Sequence, residues 1–251
     1  MDPVLTLAIS TLGAGIARVS LPDPSPRVRV LVLWQAPLED APAWAIRPDV
    51  DVVRLESRGL SKSRNAALRA ARTRFVWLFD DDATPDLSAG LALVDRALAQ
   101  GWSVVTGVVS TPEGGLFKTY PTAPFRWTVW TAPKVSSIET ILDVEVVRAK
   151  GVRFDEDFGL GARWTMGEEF IFMAAVVRSG LVAMFVPTTI AVHPLESTGK
   201  DFGRDGVWQA SSAALGRVFG VFALPVKIAM VWRKRRSLGL RKAWRYLWVR
   251  S

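Results

Sequence analysis

The sequence predicts an α/β protein built on a doubly wound, mostly parallel sheet with helices on both faces. Three observations carry that prediction. Short β-branched runs bounded by Gly, Pro and Ser alternate with segments of helical periodicity. The central run, Phe75 to Phe79, is apolar without interruption, as in a strand buried on both faces. The composition, 49% hydrophobic and 22% charged over 251 residues, is that of a globular chain able to bury a large core.

In chain order, Val4 to Ile9 and Val28 to Trp34 read as buried strands, separated by Gly13, Gly15 and the turn Pro22-Asp23-Pro24-Ser25-Pro26. A third strand, Val50 to Leu55, leads through Arg58-Gly59 into a helix opening near Ser61, with a serine placed to cap it and Ala67, Leu68 and Ala71 at helical spacing. The fourth strand, Phe75 to Phe79, runs directly into Asp80-Asp81-Asp82. A helix from Asp86 to Gln100 and a strand from Ser103 to Val109 follow, then a less periodic region from Ser110 to Ser137. A strand with a turn is expected over Ile141 to Val147, and then a glycine-bearing loop, Phe154 to Ala162. Gly167-Glu168-Glu169 opens a helix whose Phe170, Met173, Ala174 and Val177 share one face and which Gly180 ends. Strands at Val182 to Val186 and Ile190 to His193 complete the body. This divides the chain into a nucleotide-sized half (1–110), a second half (111–216) and a tail (217–251).

Charge is distributed unevenly. Lys and Arg number 32 against 24 Asp and Glu, but ten of the cations and none of the acids lie from Arg217 onward. The body is slightly acidic and the basicity belongs to the tail, which argues against a nucleic-acid binder. The absence of cysteine excludes disulfides, thiolate metal sites and a cysteine nucleophile, and the single histidine, His193, excludes a multi-histidine zinc centre. The start, Met1-Asp2-Pro3, has no basic region, and Thr6 and Ser10 interrupt the apolar run after it, so no secretory signal is expected. The tail's apolar stretch, Val218 to Trp232, contains Pro225 and Lys227 and is shorter than the about 20 residues a spanning helix needs. Arg233-Lys234-Arg235-Arg236 follows it, and Leu240, Ala243, Trp244, Leu247 and Trp248 then recur at helical spacing among Arg241, Lys242 and Arg245. Such a segment is expected to lie on an anionic membrane surface without crossing it; the alternative is a tail packed on its own domain or on a second subunit.

Four short motifs bear on chemistry. Ligands of doubly wound sheets gather at the carboxyl ends of the strands, which is where Asp80, Asp81 and Asp82 stand. Three carboxylates after a buried strand are costly unless neutralised, and a divalent cation with oxygen ligands does so while leaving coordination positions for a diphosphate. A solvated acidic turn is the bland reading, and the apolar run before the triplet weighs against it. The helix near Ser61 offers N–H groups and a positive dipole end, with Arg58, Lys62 and Arg64 around it, as an anion site or merely as a basic exposed face. Glu168 and Glu169 open a helix, where acids are common for dipole reasons alone. His193 precedes Pro194 at a strand end.

Taken in order, Arg58-Gly59-Leu60-Ser61-Lys62-Ser63-Arg64-Asn65, the acidic triplet, the Phe154 to Ala162 loop, Gly167-Glu168-Glu169 and His193-Pro194 with Ser197-Thr198-Gly199 resemble the family 2 glycosyltransferases of the GT-A fold, over roughly residues 4 to 200. The Ser-Arg-Asn helix start and the glycine loop are similar to members that build bacterial surface polysaccharides. The resemblance implies a GT-A, Rossmann-like sheet with a basic amphipathic tail, a nucleoside-diphosphate sugar as co-substrate, a DxD motif at Asp80 and Asp82, and inverting transfer assisted by a carboxylate base. It assigns Glu169 as the base with Glu168 the alternative, and Asp82, Asp80 and His193 to a divalent cation (Mn2+ or Mg2+). Gln35, Arg58, Lys62, Arg64, Asn65, Asp80, Asp81 and Gly161 are expected around the nucleotide and donor sugar. Gly159 and Gly161 would let backbone approach the sugar, and Trp127, Trp130 and Trp164 would offer ring faces to sugar or acceptor. The family's acidic residue after the second strand is replaced by Trp34-Gln35-Ala36-Pro37, with Glu39 and Asp40 only later; Gln35 could read a uracil edge, which favours a UDP-sugar. The acceptor would be a glycan or lipid-linked hydroxyl, met at the inner face of the cell membrane, with a homo-oligomer left open.

Two other readings exist. Asp80-Asp81-Asp82-Ala83-Thr84 fits the DxDxT start of haloacid-dehalogenase-like phosphatases with Asp80 as nucleophile, although that motif belongs on a first strand and three strands precede it here. A degenerate nucleotide fold serving as a membrane-bound scaffold is the non-enzymatic reading.

Overall fold

The computed structural model describes residues 2–37, 40–194 and 206–249. Glu39 and Ser197-Thr198-Gly199 therefore lie outside the described residues. Strands β1 (Leu5–Leu12), β2 (Val28–Gln35), β3 (Val50–Leu55) and β4 (Phe75–Asp80) pair in parallel, in the spatial order β3-β2-β1-β4. The order reverses between β1 and β4. Loops leaving the carboxyl ends of those two strands diverge there and open the crevice in which ligands of such sheets bind.

Beyond β4 the sheet is mixed rather than mostly parallel. β8 (Thr140–Asp143) is antiparallel to both β4 and β6 (Val104–Ser110), while β9 (Ala183–Val192) runs parallel to β6. Two-residue strands β5 (Thr84–Pro85) and β7 (Phe125–Arg126) pair antiparallel with β9. Helix α2 (Leu87–Gln100) covers one face through Leu93, Val94 and Ala97; its N-cap Asp86 accepts from the Ala89 N–H at 3.0 Å. The other face carries α1 (Leu60–Ala70), α3 (Val144–Ala149), α4 (Glu168–Arg178) and α5 (Val207–Phe219) over a core of Leu78, Phe158, Phe172, Met173 and Trp208.

Three local expectations are corrected. The strand expected over Ile141 to Val147 stops at Asp143, whose carboxylate accepts from the Val146 N–H at 3.3 Å and starts α3. The two strands expected over Val182 to His193 are one. Pro187 is exposed, and the register against β6 shifts between Thr106 and Val108, so a bulge absorbs the turn-like Pro187-Thr188-Thr189. A Cβ at Gly107 would stand 2.8 Å from both the Thr188 carbonyl and Ile190, so the bulge requires glycine opposite it. Helix α1 is capped by Gly59, not by a serine side chain.

The tail is helical. α5 continues through a short turn into α6 (Ala223–Trp248), which breaks at Gly239 with φ 65°. The second part of α6 folds back: buried Lys227 donates to the Val249 carbonyl at 2.7 Å, and the Tyr246 hydroxyl meets Ser211 at 2.9 Å. Position 217 falls inside α5, so the helix is continuous across 216 and 217. By length and composition alone, Val207–Trp248 includes a window apolar enough to cross a membrane, of mean hydropathy 1.7.

Candidate functional site

The site forms where β4 ends and α4 begins, with Arg64 between them. Arg64 lies on the first turns of α1 and points inward, its side chain 3% exposed. Its Nη1 donates to Glu168 Oε1 at 3.0 Å and to Glu169 Oε1 at 3.1 Å, its Nη2 donates to Ser137 Oγ at 2.5 Å, and Asp80 Oδ1 stands 3.8 Å away. Ser137 Oγ also lies 3.3 Å from Glu169 Oε1. One cation thus faces three carboxylates, which is what holds a guanidinium without solvent.

The two glutamates differ. Glu168 is buried, and its Oε2 is, with Trp164 Nε1, one of two buried polar side-chain atoms without a partner among the described residues. Burial, reinforced by the neighbouring Glu169 charge, pushes the Glu168 carboxyl up to about 8 against the pull of Arg64. Glu169 is partly exposed and borders a small cavity with Ser137, Thr140, Phe154 and Met173. Both follow Gly167, at φ 106°, in the first turn of α4.

The aspartates divide their tasks. Asp81 is tied into the protein: its Oδ2 accepts from Thr11 at 2.6 Å and its Oδ1 from Arg18 at 2.9 Å. Asp82, about half exposed, has Oδ1 3.2 Å from His193 Nε2. The other His193 nitrogen, Nδ1, meets the Pro194 carbonyl at 2.5 Å. An Nδ1–H donated to that carbonyl fixes the ring with Nε2 facing Asp82, so Nε2 is the nitrogen that a cation held between the two would take, with the Pro194 carbonyl as the usual support of a ligating imidazole. Burial would depress the His193 pKa, but the hydrogen bonds to Asp82 and Pro194 outweigh it and raise it. Asp82 is lowered, chiefly by that His193 bond. Asp80 is raised by desolvation, with Arg64 opposing and the Glu169 and Asp82 charges adding.

Even with Glu168 protonated, Asp80, Asp82 and Glu169 outnumber Arg64 and His193, so the crevice carries an excess of negative charge that a divalent cation would relieve. No three His, Asp or Glu side chains among the described residues converge on one point to hold a cation unaided. The donor set, two carboxylates at the end of β4 and an imidazole after β9 with Asp82 and His193 3.2 Å apart, nevertheless fits a hard cation whose remaining positions a diphosphate fills.

The remaining expected residues are placed as follows. Gln35 is buried and its Oε1 accepts from the Gly59 N–H at 2.8 Å. Asn65 accepts from the Phe154 N–H at 2.9 Å and donates to the Phe154 carbonyl and to Glu156, both at 3.0 Å. Leu60 N–H donates to the Leu160 carbonyl at 2.9 Å, so the protein itself uses part of the anion-binding capacity of α1. Arg58 and Gly161 are exposed at the rim and Lys62 is half-buried. Trp127 is core, with Nε1 bonded to Thr106 at 3.0 Å, whereas Trp130 is exposed and stacks on Phe219. Trp164 is half-buried beside Phe158.

Gly159 and Gly161 face the protein. Gly159 has φ 103°, and a Cβ there would lie 3.1 Å from Ser61 Oγ and 3.2 Å from the Glu168 carboxyl carbon; one at Gly161 would lie 3.3 Å from Gly59. The glycine loop is therefore a spacer that seats α1 against α4, and Ser61, donating to the Phe158 carbonyl at 2.6 Å, fastens it. Thr11, Arg18 and Ser137 carry no signal of their own in the sequence, and Ser61 shows there only as a helix start. Only the Ser136-Ser137-Ile138-Glu139 capping box, read from its spacing, would have drawn notice to that turn.

The family model described as Glycosyl transferase family 2 matches residues 35–157, which include the acidic triplet and the Arg64-Asn65 helix. No curated protein sequence matches the chain. Among solved structures, S. aureus TarS 1-349 in complex with UDP-GlcNAc superposes with a TM-score of 0.65 at 12% identity, over 94% of this chain and 73% of that one. The same TarS portion in complex with UDP gives 0.59 at 15% identity, over 94% and 72%. A longer S. aureus TarS chain gives 0.62 at 13% identity, and this chain spans 44% of its length. At these identities the superpositions speak for the fold, and the family match speaks for the sequence. Over residues 35–157 the chain is thus similar in sequence to the family 2 glycosyltransferases, and its mixed α/β fold, a central sheet flanked by helices, matches the GT-A fold.

Proposed function

We propose that the protein moves a sugar from a nucleoside-diphosphate sugar, a UDP-sugar in first place, to a hydroxyl of a glycan or lipid-linked acceptor, with inversion at the anomeric carbon. The observation that carries this reading is the common grip of Arg64 on Asp80 and on Glu169, which holds a leaving-group side and a base side against one crevice.

Glu169 accepts the acceptor proton as the hydroxyl oxygen attacks; its partial exposure and the undivided burial of Glu168 support that choice between the two. Glu168, pushed up to about 8, stays protonated at neutral pH and keeps Arg64 from being over-matched by charge. Asp82, Asp80 and His193 would hold a divalent cation, which supplies charge stabilisation for the departing diphosphate. Arg58 and Lys62 stand at the rim for the phosphates, and Gln35, with its Oε1 on Gly59, orients the loop that carries them. Arg18 and Thr11 hold Asp81, which leaves Asp80 and Asp82 as the carboxylates for the cation.

The catalytic body is assigned to 1–216, with 1–110 serving the nucleotide and 111–216 the acceptor, and 217–251 to membrane attachment. The exposed Phe222, Ile228, Trp232, Leu240, Trp244 and Trp248 among the tail's cations support a peripheral position on the inner face of a cell membrane. The bacterial surface-polysaccharide role follows from the resemblance of the Ser-Arg-Asn and glycine-loop motifs.

The test is a thermal-shift panel of UDP-, GDP- and dTDP-sugars with and without Mn2+. A native-state ligand raises apparent stability, so a UDP-sugar should raise Tm and Mn2+ should enlarge the shift. No shift from any nucleotide sugar under either condition would overturn the reading.

A further inference from the structure

One part of the exposed apolar surface is concave. Trp130, Phe219, Phe222, Pro225, Val226 and Ala229 line a groove of about 410 Å3, within the range of small-molecule sites. Among the described residues no charged side chain lines it.

Two relationships limit what can fill it. On the inner side, the Phe219 ring, stacked on Trp130 at 5.0 Å, also packs 6.5 Å from Phe170, the residue after Glu169. The turn Ala132–Lys134, two residues past Trp130, packs on α4, and Ser137 of the following turn contacts Glu169. On the outer side, Phe222 continues into exposed Leu224, Ile228 and Trp232, after which Arg233-Lys234-Arg235-Arg236 offers a surface complementary to anionic headgroups. The groove therefore joins a lipid-facing surface to the neighbourhood of the base.

The geometry points to this groove as the seat of the hydrocarbon chain of a lipid-linked acceptor, with its hydroxyl-bearing head directed toward Glu169. The placement of the head rests on the glycosyltransferase reading; the binding of the chain does not. An amphiphile with an apolar tail and a hydroxylated head satisfies both ends, whereas a second copy of this chain would present its own charged tail to a surface already cationic.

The probes are hexyl, octyl and decyl β-glucosides, each below its micelle concentration, titrated calorimetrically into the full chain. Affinity should rise about three- to fourfold per added methylene that the groove buries. Ala229→Trp, at an exposed helix position, fills the groove and should abolish that dependence with Tm unchanged, while Trp244→Ser, outside the groove, should retain it. Glu169→Gln should weaken all three glucosides by one common factor. Absence of chain-length dependence, or its persistence in Ala229→Trp, overturns the groove as the site. Self-association lost in Ala229→Trp without glucoside binding makes a second copy the occupant, and liposome binding lost there without glucoside binding makes it bulk lipid; either overturns the proposal. Chain-length dependence with no effect of Glu169→Gln overturns the acceptor assignment. UDP-sugar thermal shifts, measured on the same variants, report separately on the glycosyltransferase reading.

Discussion

Arg64 and Glu169, 105 residues apart in sequence, are joined by a 3.1 Å hydrogen bond inside the protein. The same guanidinium serves Glu168 and faces Asp80, so the relative position of α1, α4 and the end of β4 depends on one side chain.

Removing that cation should be expensive. Arg64→Ala leaves Glu169 and the desolvated Asp80 without their counter-charge and the buried Glu168 without its hydrogen bond, and breaking such a buried pair costs about 3–5 kcal/mol. Urea unfolding should show a loss of that order, with Arg64→Lys intermediate because an ammonium cannot reach three carboxylates through a planar fork. A loss below about 1 kcal/mol for the alanine variant would mean that the cluster does not organise the fold.

The raised Glu168 carboxyl makes a pH prediction. The unfolded chain releases this proton near the ordinary glutamate value, whereas the folded chain keeps it up to about 8. Between those values the native state binds more protons, so stability falls as pH rises, by at most about 1.4 kcal/mol per pH unit from this group. Melting temperatures across that window should decline more steeply for the wild type than for Glu168→Gln. Parallel declines would remove Glu168 as the cause.

The glycine loop can be tested without touching a charged group. Gly159→Ala combines the left-handed strain of φ 103° with contacts at 3.1 Å to Ser61 and 3.2 Å to Glu168. Gly114→Ala carries similar strain, φ 80°, into open space. Residues in such regions cost about 1–3 kcal/mol; Gly159→Ala should lose more than Gly114→Ala in the same unfolding assay. Equal losses would show that the loop does not press α1 onto α4.

Membrane attachment calls for substitutions on the surface. Ending the chain at 216 would cut α5, whose Trp208, Ala213 and Leu215 belong to the core. Replacing exposed Trp232, Trp244 and Trp248 by Ser removes apolar area while sparing the fold. Sedimentation with anionic liposomes should fall for the triple variant, and binding by the wild type should weaken with salt. Undiminished sedimentation would place the attachment elsewhere.

The parts legible in the sequence are those with a strong local period or an uninterrupted apolar run. Strands β2 to β4 and α2 are legible to within a residue of their ends, while β1 runs three residues past the expected Ile9, and the aspartates fall at a strand terminus because Phe75 to Phe79 could only be buried. Val144 and Val146 misled because β-branched residues favour strands, whereas Asp143 as an N-cap outweighed that preference. Long-range partners were not legible. Nothing near Arg64 indicates that it faces inward, since its hydrogen-bond partners lie 73 to 105 residues away. The half-buried Lys118, 2.9 Å from the buried Glu139, likewise anchors a region whose sequence shows no period.

The central claim is that Glu169 is the base of a sugar transfer that depends on Asp82. Its most direct test is nucleoside-diphosphate release from a UDP-sugar and acceptor extract by the wild type, Glu169→Gln, Glu168→Gln and Asp82→Asn, with donor binding followed in parallel. Glu169→Gln should lower turnover about 10²- to 10⁴-fold while donor affinity persists, and Asp82→Asn should abolish metal-dependent donor binding. Full turnover by Glu169→Gln, or unchanged donor affinity and metal dependence in Asp82→Asn, would contradict the account.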